Sequence, residues 1–155
     1  MPDNQTLAMK KRLSLSSILL FVVVSVMAQT KPVVFTTEAG AIQGYDPVAF
    51  FKESKPVPGN PELTYTWNDA VWHFSTQENL DLFKATPEKY APQYGGYCAF
   101  GVASGHKSPT EPETWTVVND KLYFTYNKNV QKLWNKNQKG LIDQGDKRWP
   151  TVIKE

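Results

Sequence analysis

The side chains able to do chemistry in this chain are few. Cys98 is its one cysteine, and His73 and His106 are its two histidines. A thiolate with two imidazoles is a donor set that copper or zinc accepts, so Cys98, His73 and His106 are candidate metal ligands. Taken alone, Cys98 is a candidate for thiol redox chemistry. It follows Gly95-Gly96, and backbone N–H groups exposed at a doubled-glycine bend favour the thiolate. With no second cysteine, such a reaction needs an external resolving partner. Plainer readings compete. Free cysteine is among the most buried residue types, and Tyr97, Ala99 and Phe100 are good core neighbours. His73 alternates away from Trp72 and Phe74, and His106 lies in a Gly/Lys/Ser/Pro stretch, so exposed imidazoles unrelated to any metal are the alternative for both.

Aromatic residues offer a second kind of site. The seven Tyr and five Trp supply large rings with polar tips, suited to a ligand pocket or to the core of a small domain without disulfides. Trp72, Phe74, Phe83, Trp115 and Trp134 follow the spacing of their elements and read as core. Tyr45, Tyr94 and Tyr97 fall in turns, and with Gly95 and Gly96 they are the ligand-binding candidates. Asp46 precedes Pro47 as a turn starter, and Glu78 reads as half of a helix cap. The two make no acid/base pair. Nucleophilic triad, phosphate-loop and dinucleotide patterns are missing, so the chain reads as non-enzymatic.

These residues need elements to hold them. Leu63–Trp67 and Val71–Ser75 alternate around Asn68-Asp69-Ala70, which predicts a hairpin with Trp72 and Phe74 on one face. Ser75 and Glu78 have capping-box spacing before a helix over 76–85, with Leu80 and Phe83 as its apolar stripe. A short turn follows over 87–91. Trp115–Val118 and Lys121–Tyr126 flank Asn119-Asp120 as a second hairpin. Asn127 then caps a last helix that Gly140 weakens, and Trp149-Pro150 closes the domain. The order predicts an α+β fold: one small domain with two β-hairpins and two main helices.

The length of 155 residues fits one such domain. Its charge is unevenly placed. Lys10, Lys11 and Arg12 precede an apolar run over Leu13–Val26, with small-residue positions at Val26 and Ala28. This is the layout of a secretory signal peptide over residues 1–28, with Met9 as its start and 1–8 an extension; an uncleaved anchor is the alternative. Without that segment the 17 basic and 15 acidic side chains fall to 14 of each. The remaining chain has no cationic excess to neutralise phosphates, which argues against nucleic acid as a partner. It also carries no membrane-spanning stretch. Residues 29–41 read as a tether and 42–155 as the domain.

Phe74-Ser75, Phe83, Pro87 and Tyr90, in that order, resemble the YHS domain, a small module of metal-handling proteins. Gly44-Tyr45-Asp46-Pro47-Val48-Ala49 resembles its opening. Tyr94-Gly95-Gly96-Tyr97-Cys98-Ala99, Leu122-Tyr123 and Trp149-Pro150 are similar to its exported subgroup, some of whose members carry selenocysteine at the position of Cys98. The resemblance spans residues 42–150. It implies thiolate ligands at three positions that are here Ala49, Ser75 and Asn79, none of them suited to a soft metal. The resemblance therefore implies the fold without the family's usual metal site. The expected function is an exported, periplasmic, non-enzymatic binding module for copper, zinc or a small ligand, with an envelope protein as a further candidate partner. A redox protein using Cys98 is the alternative.

Overall fold

Two-residue Asn-Asp turns organise the strands. The computed structural model describes residues 32–155; the expected export segment and the first residues of the expected tether lie outside them. Asn68 and Asp69 sit at φ 50° and 57°, and Asn119 and Asp120 at φ 50° and 59°. Positive φ at both central residues matches the twist of a tight hairpin, and Asn and Asp tolerate it best among non-glycine residues. The first turn joins β3 (Asn60–Trp67) to β4 (Ala70–Phe74), and the second joins β5 (Thr116–Val118) to β6 (Lys121–Tyr123). In the stretch read as a tether with a short strand at Val33–Thr37, β1 (Thr36–Thr37) pairs with β2 (Gly40–Ala41) as a third, smaller hairpin. Each antiparallel pair stands as its own two-stranded sheet. The stretch expected as a tether thus packs into the domain: Val34 is buried, and the Phe35 N–H donates to the Gly95 carbonyl at 2.9 Å.

Six helices complete the α+β domain among the described residues: α1 (Ala49–Lys52), α2 (Gln77–Ala85), α3 (Pro87–Tyr90), α4 (Ala99–Ser104), α5 (Lys128–Asn135) and α6 (Gln138–Val152). The cap of α2 differs from the expected box. Thr76 Oγ1, not Ser75, accepts the Asn79 N–H at 3.1 Å, while Ser75 and Glu78 take other partners. Asn127 caps α5 as expected, its Oδ1 accepting the Val130 N–H at 2.9 Å. The last helix breaks at Lys136–Asn137 rather than at Gly140, because Asn137 starts a new cap by accepting the Gly140 N–H at 3.3 Å. A Cβ on residue 140 would stand 2.6 Å from the Asn137 amide, so the glycine makes room for the cap. The α6 helix then runs past Pro150 to Val152. No helix among the described residues is long and apolar enough to cross a membrane.

The core has two lobes. Phe83 centres the first, its ring 5.1 Å from Trp72, 5.2 Å from Phe74 and 5.8 Å from Trp67. Burying one such side chain contributes about 1.5–3 kcal/mol, and well-placed ring pairs add to it. Trp72 and Phe74 share the inner face of β4, and Val71 and His73 the outer one, as the alternation predicts. Tyr94, Tyr97, Val102, Tyr123, Trp134 and Val152 build the second lobe, where α4 packs on α6.

Candidate functional site

The doubled-glycine bend does approach something closely, and that something is the chain itself. Gly95 has φ +62°, and a Cβ there would stand 1.9 Å from the Val33 carbonyl oxygen. Only glycine admits both the turn and the neighbouring backbone. A Cβ on Gly96 would meet Ile42 Cγ2 at 2.7 Å, and the Gly96 carbonyl accepts the Thr110 hydroxyl at 2.7 Å. Gly96 is therefore a packing residue, not a ligand contact.

Tyr94 occupies the left-handed region at φ 56°, which costs a non-glycine residue about 1–2 kcal/mol. Its hydroxyl explains why the strain is held. It donates to Asp146 Oδ1 at 2.8 Å, and the ring lies 5.9 Å from Tyr123 and 5.7 Å from Trp149. Burial, then the Asp146 carboxylate, pushes the phenol far above its ordinary range. Burial likewise raises Tyr123, to about 12. Tyr97 is closed off as well. Its hydroxyl donates to the Pro32 carbonyl at 2.8 Å, and the Lys107 ammonium sits 5.5 Å over its ring. Tyr45 packs against the first lobe and bridges Pro58. Of the five ligand-binding candidates, Tyr94 and Gly95 remain beside open space.

That space is a cleft of about 270 Å³. Trp67, Trp149, Pro92 and Ile153 supply apolar wall, and Asn68, Glu88 and Gln93 supply polar groups. Hairpin β3–β4 positions Trp67 and Asn68 beside its turn, α3 presents Glu88, and α6 carries Trp149 across to meet them. The sequence reading missed Trp67, Trp149 and Glu88. Trp67 looked like one more strand residue and Trp149 like a domain terminus. The available signal was that each is a large ring at the end of its element, where a ring has neighbours on one side only.

Cys98 faces the other way. It is 1% exposed, and its Sγ accepts the Tyr126 N–H at 3.2 Å and the Gly101 N–H at 3.4 Å. The sequence reading expected backbone N–H groups to favour the thiolate. They are present and do pull that way, but burial outweighs them, and the thiol is raised above its ordinary 9.0. The three candidate metal ligands do not gather. His73 lies half-buried on β4 beside Gly40 and Gly59, His106 is exposed after α4, and no group of three or more His, Cys, Asp or Glu side chains among the described residues is placed to hold a metal.

The positions at which the YHS resemblance implies thiolates do converge, on a carboxylate. Asp46 is fully buried. Its Oδ1 accepts the N–H groups of Val48 at 2.9 Å and Ala49 at 3.3 Å. Its Oδ2 accepts the Ser75 N–H at 2.8 Å, the Ser75 hydroxyl at 2.6 Å and the Asn79 amide at 2.7 Å. Asp46 is thus more than a turn starter: it ties the chain before α1 to the β4–α2 junction. With five donors on its two oxygens, the carboxylate has little left to offer a cation. Among the described residues, neither this cluster nor Cys98 gathers three His, Cys, Asp or Glu side chains around a place for a copper or zinc ion. Compared with family models, with curated proteins and with solved structures, the chain finds no match in any of the three.

Proposed function

We propose that the chain is an exported, YHS-like, non-enzymatic binding module that holds a small organic ligand in the Trp67–Trp149 cleft. The cleft carries the reading. Ligand sites are concave, mostly apolar and furnished with a few polar groups that fix orientation, and this one joins the indoles of Trp67, Trp72 and Trp149 to Asn68, Glu88 and Gln93 at a strained, hydrogen-bonded turn. Strain of this kind persists where the surroundings over-determine it, and it clusters at ligand sites.

Support for the family comes from Ala49, Ser75 and Asn79, which the resemblance groups and which meet around Asp46. Support for export comes from the basic, apolar and small-residue order of residues 10–28. The thiol reading has weaker ground, since a buried sulfur with a raised pKa is a poor nucleophile.

The test is a screen of small aromatic acids, alcohols and amines by NMR of the indole N–H groups. Binders that shift Trp67 and Trp149 while leaving Trp115 unmoved are the expected result. Binders that act elsewhere would overturn it. So would Cu(I), Cu(II) or Zn(II) binding tightly to the wild type and weakly to Cys98→Ser, which would restore the metal as the ligand.

A further inference from the structure

We propose that the ligand of this cleft is a small organic cation: an ammonium group on a short aromatic or apolar body. The inference rests on the reading of the cleft as a binding site and adds the chemistry of what enters it.

Charge is the first argument. Among the described residues Glu88 is the one charged residue in the lining, with no Lys, Arg or His beside it there. Its carboxylate is also unclaimed by any described residue. Among the described residues Glu88 enters none of the ion pairs, which join Lys52 to Glu78, Lys55 to Glu53 and Lys139 to Asp143. The adjacent Lys89 is not part of the lining, and its ammonium sits 5.2 Å over the Tyr90 ring. Of the other acid nearby, Asp146, one oxygen is already held by the Tyr94 hydroxyl.

The second argument is the balance of donors and acceptors. Asn68 and Gln93 each bring a carboxamide to the lining, able to accept through its carbonyl or donate through its NH2, and neither side chain is hydrogen-bonded within the described residues. The carboxamides can serve either kind of ligand, but the Glu88 carboxylate only accepts, and with the two amide carbonyls it suits an ammonium, which carries three N–H donors and no acceptor. Among the described residues an anion would meet a carboxylate and no cation.

The third argument is the walls. Indole is the strongest aromatic partner for a cation, and Trp67 and Trp149 both line the cleft. A volume of about 270 Å³ lies at the small end of ligand sites, room for one ring and a short chain.

Matched probes test the class. Phenethylamine, 2-phenylethanol and phenylacetate share one body and are cationic, neutral and anionic at neutral pH. Titrated into the purified protein and followed at the Trp67 and Trp149 indole N–H signals, the amine should bind roughly tenfold more tightly than the alcohol. The acid should bind most weakly. Glu88→Gln should bring the amine to within about threefold of the alcohol, the loss expected for one partly exposed ion pair. If the alcohol or the acid matches the amine, or Glu88→Gln keeps the full preference, the cationic class is wrong while the cleft remains a binding site. If none of the three moves either indole signal, the binding site itself is refuted.

Discussion

Asp46 and Glu88 are both carboxylates close to the start of a short helix, and they have opposite fates. Asp46 is fully buried and takes five donors from three stretches of chain. Glu88 is exposed at the edge of a cleft, with no described residue paired to it. The difference follows from where each sits relative to the backbone. Asp46 precedes the first turn of α1, where orphan N–H groups need an acceptor, and β4 delivers Ser75 to its other oxygen. Glu88 lies on the four-residue helix α3, where it is exposed while Tyr90 faces the core. A polar group whose valences are used inside the fold serves stability; one left unused beside apolar wall is available to a ligand.

The largest effect should come from breaking the closed member of the pair. Asp46→Ala strands the N–H groups of Val48, Ala49 and Ser75, the Ser75 hydroxyl and the Asn79 amide. A buried unsatisfied donor costs about 1–3 kcal/mol, and removing a buried charge with several partners reaches the top of the usual mutational range. We expect a loss of about 4 kcal/mol or more in urea unfolding. A loss under about 1 kcal/mol would mean that water reaches these donors, and that Asp46 is as open as Glu88.

Cys98 belongs with Asp46, and pH sharpens that grouping. The folded thiol is raised above 9.0, Tyr123 is raised to about 12, and Tyr94 is raised further. Each group is neutral when protonated and ionises first in the unfolded chain. Their contribution to stability is complete below the unfolded values and is lost as pH rises through the folded ones. Unfolding free energy should therefore stay level from about pH 7 to about pH 8.5 and fall from about pH 9 upward. Cys98→Ser should delay the onset toward pH 10.0, the ordinary tyrosine value. In the native protein the thiol should react with an aromatic disulfide more slowly than free cysteine does, and at the ordinary rate once unfolded. A stability curve that rises above pH 9 would place Cys98 on the open side of the comparison.

Much of the fold was legible because it rests on local rules. The Asn-Asp turns, the β4 alternation, the apolar stripe of α2 and the Asn127 cap all came from spacing and turn chemistry. The failures have one physical character: each needed to know what arrives from elsewhere in the chain. Ser75 looked like a cap until Asp46, 29 positions away, claimed its hydroxyl. The doubled glycine looked like a ligand approach until Val33 and Phe35 were seen to fill it. For Cys98 both the backbone donors and burial among Tyr97, Ala99 and Phe100 could be read from its neighbours, but which of them outweighs the other could not. The cleft was the least legible part, since Trp67, Glu88 and Trp149 lie on three elements and carry no shared motif.

The smallest effect is expected on the open side, and its smallness is what matters. Glu88→Gln removes one charge from an exposed side chain with no described partner. Surface changes away from caps and networks usually stay within about 0.5 kcal/mol, so urea unfolding should barely distinguish the variant from the wild type. A loss above about 1 kcal/mol would show that Glu88 supports the first turn of α3 or pairs within the protein. Its charge would then be spent as fully as that of Asp46, and the cleft would present a cation with aromatic walls and no counter-charge.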